Sequence, residues 1–518
     1  MPRVIRWDEP DYLWLGKNLL SGQGYQINGV AELHYTPLFP ILAGSVYWLT
    51  GDPELGSAFW YVSLGALMTL PIYGIARRLY GPRVALVAVL LVAIFPALSS
   101  AILYWGTMTE PLFLFLVYNG VWASLVALES DRLWAWALCG ALFALAYLSR
   151  PEGLVWFIAF GLLLVGRRLL HRRPGRWRTL GRLALYVGAF ALLAAPYAVF
   201  LWQQTDSFML TGKLAITHDI GRAVLERNPV LYDQVTASLD EQGEILWWSP
   251  RRFQKSILDI VREDPQGFVE RTWRNAQQMK GQLFASTIFP LFLFAPILLG
   301  WFRHPWTRPR LWGEAVLWFG VLPVLSFLPF HVEVRFFAPA IPALLIWLAA
   351  GAGELASWAA DTLWNWRRGR PVVVDARWMS WHSRALALIC ALLVLLIGFV
   401  HVRTIRRGLQ DLPFAHKEVG LWLREHTAPD ASIMSRDLAV SLYAQRGFVA
   451  SPRAEYEQWL DYARRKGATH VVVDERELRV LRPYLAFLLD IAHPPSALEP
   501  ISQVTDRHGV TIVYRLKD

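Results

Sequence analysis

The chain has 518 residues, of which 55% are hydrophobic and only 18% charged, where an ordinary soluble domain carries about 25% charged residues. Its net charge of +10 comes largely from arginines grouped in short loops between apolar stretches, the pattern of loops beside anionic lipid, which argues against nucleic acid as the partner. Two cysteines, Cys139 and Cys390, lie inside apolar runs and imply neither a disulfide framework nor a thiolate metal site.

Residues 1–7 contain no apolar span and no signal-peptide core. The threading below places them outside the membrane, which leaves two readings: a first segment inserted as a translocated tail, or a chain start that lacks a preceding spanning helix. Asp8 and Glu9 follow Trp7, and Tyr12, Trp14 and Leu15 recur at helical spacing, which predicts an interfacial helix with the acid pair at its start. Ten spans are predicted, at 56–76, 84–103, 109–128, 133–149, 151–166, 183–202, 283–302, 312–330, 336–353 and 385–402, most of them near the ~20 residues a bilayer requires. The loops holding Arg77, Arg78 and Arg83, then Arg167 to Arg182, Arg303 to Arg310 and Arg367 to Arg384, alternate with loops far poorer in basic residues. The positive-inside rule puts the basic set in the cytoplasm.

Two long non-spanning regions then fall outside. Region 203–282 carries Trp247-Trp248 and a predicted amphipathic helix after Asp264, with Phe268, Val269 and Trp273 on one face, suited to lie along the bilayer surface. From 403 the membrane composition ends. Predicted helices at 415–427, 437–445, 454–466 and 476–490 alternate with strands at 432–435, 448–450 and 469–474, and strands near 500–505 and 510–516 follow, a small α/β domain. The expected architecture is a polytopic α-helical membrane protein of about ten spans. Its parts are an outer-face segment at 1–55, a transmembrane domain at 56–402 that includes the outer loop 203–282, and an extracytoplasmic α/β domain at 403–518.

The threading gathers Asp8, Glu9, Glu110, Arg150, Glu152, His331, Glu333 and Arg335 at one membrane face. Asp8-Glu9 reads either as an acid pair favoured by a helix N-terminus or as a general base for a hydroxyl. Glu110 opens a span behind Thr109, where capping would also suffice. Arg150-Pro151-Glu152 joins two spans at their outer ends, and an outer arginine runs against the positive-inside bias. In His331-Val332-Glu333-Val334-Arg335, alternation puts the three polar side chains on one side of an extended segment, with a surface ion pair as the plainer reading. No group of three or four ligands for a metal stands out, and a guanidinium matches phosphate oxygens, so the arginines read as anion ligands. Acids and arginines at one face suit a donor held by its phosphate and an acceptor that must lose a proton.

Five stretches carry a resemblance: WDEPDYLWLGKNLLSGQGY at 7–25, HYTPLFPIL at 34–42, TEPLF at 109–113, LSRPEG at 148–153 and VRFFAPAIP at 334–342. In order and in shared sidedness they resemble the membrane-embedded GT-C glycosyltransferases of the protein O-mannosyltransferase and aminoarabinose-transferase kind, over most of the chain. The resemblance implies a family 39-like, inverting transfer of a sugar from a polyprenyl-phosphate carrier to a hydroxyl of a lipid, glycan or protein on the extracytoplasmic face. It implies Asp8 as catalytic base with Glu9 beside it, Arg150 holding the site, Arg335 facing the carrier phosphate, and no metal or cofactor. Glu110, Glu152 and His331 are supporting candidates. The family has a spanning helix before its Asp-Glu motif, and a basic residue where Tyr35-Thr36 stands here, with His34 the candidate to serve instead. Membrane lipids are the expected surroundings. A transporter or flippase for envelope lipids and a non-catalytic envelope-assembly protein are the alternatives.

Overall fold

The computed structural model describes residues 3–99, 109–130, 132–170, 176–249, 257–283, 289–303, 305–330, 332–368, 374, 376–409 and 412–517. Its first helix, Glu9–Leu20, starts with Pro10 in its first turn, where a missing N–H costs nothing. It crosses helix Leu38–Thr50 at two glycines. A Cβ on Gly16 would lie 1.9 Å from the Pro40 carbonyl oxygen, and one on Gly44 would lie 2.4 Å from the Gly16 Cα. The two backbones therefore touch, which fixes how the start of the first helix is aimed. Between the helices, strands β1 (Gln26–Ile27) and β2 (Val30–Ala31) pair across Asn28-Gly29, both at positive φ, as a two-residue hairpin requires.

Among the described residues, seven helices are long and apolar enough to cross a membrane: Pro53–Tyr80, Glu110–Glu129, Gly153–Leu170, Trp177–Thr205, Arg308–Phe327, Arg335–Arg367 and Ala376–Leu409. The other three predicted spans correspond to shorter apolar helices, Pro82–Ile94, Leu133–Ser149 and Leu291–Phe302. The span predicted at 84–103 meets Pro96, where the helix ends and a short one restarts. Helix Arg335–Arg367 forms the centre of the bundle, with 94% of its most apolar window buried, because its Ala- and Gly-rich stretch admits close neighbours. Helix Ala376–Leu409 is peripheral, with Leu388, Leu392, Leu395 and Phe399 exposed along it. It runs beyond 402, since Arg and Leu continue a helix after the apolar run has ended.

The tail builds strands β3 (Ser432–Ser435), β4 (Gly447–Ala450), β5 (His470–Asp474), β6 (Leu498–Asp506) and β7 (Gly509–Leu516) into one sheet of order β4-β3-β5-β7-β6. The pairs β3-β4 and β3-β5 are parallel; β5-β7 and β6-β7 are antiparallel. Both faces are covered, as a parallel core demands. Ile433, Val472 and Val513 pack with Val419, Leu423 and Val440 on one side, while Met434, Val471, Val473, Ile512 and Tyr514 pack with Trp459, Leu485 and Leu488 on the other. The helix predicted at 476–490 is broken at Pro483 into two short irregular helices, Glu477–Leu481 and Pro483–Leu489.

This domain is docked on the beginning of the chain. The Ile5 backbone N–H donates to the Tyr443 hydroxyl at 2.9 Å, and that hydroxyl donates to Glu54 at 3.0 Å. Asn28 in the hairpin turn donates to the Tyr462 hydroxyl at 2.8 Å and accepts from the Ala450 N–H at 3.1 Å. A second set of contacts reaches the loop region 203–282. Asp233, in helix Pro229–Ala237, is buried and takes Arg482 through two nitrogens at 3.0 and 3.2 Å, with Arg436 at 3.3 Å and Arg453 at 3.4 Å.

Candidate functional site

Asp8 stands at the N-cap position of the first helix, yet its side chain makes no capping bond and its backbone is already helical. Capping therefore does not account for this carboxylate. One turn on, the Tyr12 hydroxyl lies 3.5 Å from Asp8 Oδ2, and Arg335 Nη1 lies 3.7 Å from the same oxygen. Asp8 keeps 30% of its side chain exposed, enough for a ligand to reach it. Arg335 comes from the irregular helix Val334–Ala340 that leads into the central helix, and its Nε donates to Glu333 at 2.7 Å. The expected extended alternation is present only at Glu333, since the chain turns helical from Val334 onward. His331 lies outside the described residues.

Arg150 sits in the turn between helices Leu133–Ser149 and Gly153–Leu170. That turn is tight because Gly153 presses on the previous helix, where a Cβ would meet the Tyr147 nitrogen at 2.3 Å. The Arg150 guanidinium donates to Glu110 at 2.5 Å and lies 3.5 Å from Glu152. It also lies 5.9 Å from the centre of the Phe113 ring and 5.5 Å from that of Phe336. Arg335 is likewise 5.5 Å from the Phe336 ring centre, so one phenyl group links the two arginines. Glu152 in turn accepts from Lys213 at 3.0 Å, in the first turn of helix Lys213–Leu225. The outcome is a chain of charges: Glu333, Arg335 and Asp8 at one end; Glu110, Arg150, Glu152 and Lys213 at the other.

Two sequence candidates stand apart from it. Glu9 is almost fully buried and holds Arg3, the Ser57 hydroxyl at 2.5 Å and the Arg6 N–H at 2.8 Å. Consecutive residues of a helix point about 100° apart, so the acid pair is split between the cluster and the interior. His34 lies behind Tyr35, its ring 4.7 Å from Trp247, where Glu32 accepts the His34 backbone N–H and the Trp248 indole. Lys213, Phe336, Tyr12 and Asp11 belong to this neighbourhood and were not read from the sequence. Asp11 is i+3 from Asp8 and accepts from the Tyr35 hydroxyl at 3.2 Å, a spacing that alone could have signalled a shared face.

The electrostatics divide the cluster. Burial pushes the Asp8 carboxyl above the ordinary aspartate value; Arg335 opposes this, and Glu333 and Glu110 add to it. Asp11 is raised further by burial and by its neighbours Asp8 and Glu32. Burial also acts upward on Glu152, but Lys213 and Arg150 overcome it and hold that carboxyl at about 2. The cluster thus offers a proton acceptor of raised basicity beside Arg335, and a permanently ionised carboxylate between Arg150 and Lys213. Among the described residues no group of three or more His, Cys, Asp or Glu is placed to hold a metal ion.

Residues 34–202 match the family model described as dolichyl-phosphate-mannose-protein mannosyltransferase. That stretch includes His34, Glu110, Arg150 and Glu152, and ends before Lys213 and Arg335. No curated protein matches the sequence. The structure is similar to that of ArnT from Cupriavidus metallidurans bound to undecaprenyl phosphate, with a TM-score of 0.59 at 14% identity over 99% of this chain and 94% of that one. The fold is that of the GT-C glycosyltransferases. A second GT-C relative in shape is AglB from Archaeoglobus fulgidus in complex with an inhibitory peptide and a dolichol-phosphate, with a TM-score of 0.52 at 14% identity over 98% of this chain and 70% of that one. The oligosaccharyltransferase of the same organism, tethered with an acceptor peptide, gives 0.51 at 14% identity over 100% and 70%. The stretch matched by the family model supplies Glu110, Arg150 and Glu152 to the cluster, while Asp8 and Arg335 are contributed by segments outside that stretch.

Proposed function

We propose that the chain is an inverting glycosyltransferase that moves a sugar from a polyprenyl-phosphate carrier to an acceptor hydroxyl at the extracytoplasmic face. The observation that carries this reading is the juxtaposition of a reachable, raised-pKa carboxylate and a guanidinium, Asp8 and Arg335, on a GT-C fold. Asp8 removes the acceptor proton as the hydroxyl oxygen attacks the anomeric carbon. The bond from that carbon to the phosphate oxygen breaks, and its electron pair leaves with the carrier. Asp8 goes from anionic to neutral while the phosphate gains one negative charge, so the cluster's net charge is conserved through the step. Arg335 stabilises the departing phosphate, an electrostatic contribution aimed at charge that develops only in the transition state.

A similar fold solved with undecaprenyl phosphate, and another with a dolichol-phosphate, support a polyprenyl carrier. The arginine-rich loops support the sidedness, since they lie at the predicted cytoplasmic ends. Hydrogen bonds joining the tail to Ile5 and Asn28, on either side of the helix that Asp8 opens, support the same sidedness for the tail. The test is transfer from labelled polyprenyl-phosphate sugars by purified wild-type protein and by Asp8→Asn. Loss of a general base costs about 10²- to 10⁴-fold in turnover. Carrier binding should persist in the variant. Near wild-type turnover from Asp8→Asn would reject the assignment.

A further inference from the structure

We infer that Lys213, and not Arg150, joins Arg335 in gripping the carrier phosphate, with Glu152 as the counter-ion that Lys213 leaves when the phosphate arrives. The inference rests on the glycosyl transfer proposed above and assigns a binding residue within that site.

Arg150 is poorly placed to turn towards a ligand. Glu110 holds its terminal nitrogen at 2.5 Å, Glu152 stands 3.5 Å from its Nε, and the Phe113 and Phe336 rings flank its guanidinium. Only 9% of its side chain is exposed. A planar fork with carboxylates and rings around it is a scaffold: it sets where Glu152 and Phe336 stand. A phosphate reaching it would have to displace a buried carboxylate and leave that charge uncompensated, a costly exchange.

Lys213 differs in each respect. Its ammonium carries three donors, and among the described residues it is seen to donate to one acceptor, Glu152 Oε1 at 3.0 Å. Its side chain is 22% exposed, close to the 20% of Arg335. The start of its helix is held in place by Gly212, where a Cβ would meet the Leu33 carbonyl oxygen at 2.4 Å. The flexible stem then swings from a fixed root. Lys213 also lies within electrostatic range of Arg150, Arg335 and Asp8, so the ammonium belongs to the same field as the proposed base. The stretch 34–42 supplies no competing lysine or arginine, and its His34 ring stands edge-on to Tyr35 and packs against Trp247.

The experiment compares binding of a polyprenyl phosphate with binding of the uncharged polyprenol of the same length, using the full chain in nanodiscs. Wild type should prefer the phosphate. Lys213→Met should weaken phosphate binding about ten- to hundredfold, the size of one lost charged hydrogen bond, and leave polyprenol binding unchanged. Lys213→Arg should restore most of the preference. Lys213→Met with Glu152→Gln removes both ends of the ion pair, so it keeps the fold without an orphaned charge and should stay weak for the phosphate. A Lys213→Met protein with wild-type preference, or a double variant that regains it, overturns the inference while leaving the glycosyl-transfer reading intact. A wild-type protein with no preference for phosphate over polyprenol overturns both.

Discussion

At the residue scale, the site is governed by which charges face one another. Asp8 is raised chiefly by burial, lowered by Arg335 and raised again by Glu333, which also neutralises Arg335 at 2.7 Å. A base works only when ionised, so transfer should rise with pH through the Asp8 value. Replacing Glu333 with Gln removes a like charge and frees the field of Arg335, and both effects lower the Asp8 pKa. The acid limb of the kcat/KM profile should therefore move to lower pH in Glu333→Gln; a limb that stays fixed or moves upward would show that Asp8 is not the titrating base. The sequence disclosed these partners unevenly. Asp8 and Arg335 were legible because charges next to apolar spans are conspicuous, whereas the adjacency of Asp8 and Glu9 in sequence concealed that the helix turns them apart. Lys213 was hidden for another reason: its partner Glu152 lies 61 positions away, and no local pattern reports such a contact.

At the element scale, the aim of the first helix depends on the crossing at Gly16 and Gly44. A methyl group on Gly16 would overlap the Pro40 carbonyl oxygen, which is backbone and cannot rotate aside. Gly16→Ala should therefore cost roughly 1–3 kcal/mol as overpacking, more than the ~0.4–1 kcal/mol that alanine gains through the unfolded chain. It should also lower transfer, because the helix must move and Asp8 moves with it. Gly65→Ala is the control: nothing lies within 4 Å of its added carbon, so it should be neutral or stabilising. Thermal midpoints of the two variants check the claim, and equal midpoints would defeat it. Periodicity foretold that a helix follows Asp8, but not what it packs against, since glycines serving as contact surfaces look like flexible positions until the partner backbone is placed. The same physics explains the spans. Apolar runs marked each of the seven described helices long and apolar enough to span a membrane, while breaks at Pro96 and Pro483 depended on where proline fell within a run.

At the scale of the whole molecule, one buried aspartate ties the tail to the loop region that carries Lys213. Asp233 is 1% exposed and Arg482 is fully buried, and their two-nitrogen contact is reinforced by Arg453 and Arg436. Removing Asp233 takes one of two carboxylates from the buried Arg482, which keeps Glu477 at 2.6 Å, so the cost falls below the ~3–5 kcal/mol of a fully uncompensated buried charge. Asp233→Ala should lower the thermal midpoint and speed hydrogen exchange across 229–237 and the facing segments of the tail. Arg436→Gln should do far less, because that side chain is 40% exposed and its share is screened, about 1 kcal/mol or below. The tie also has a pH sign. Burial acts to raise the Asp233 carboxyl, but Arg482 and Arg436 prevail and lower it from the ordinary 3.8. Its contribution is present above that value and is lost as the pH falls through the folded-state pKa, so the gap in midpoint between wild type and Asp233→Ala should be widest near neutrality and close in acid. A gap that stays constant into acid would mean that the helix Pro229–Ala237 is held by packing, and that the arginines around Asp233 contribute little to joining the two parts.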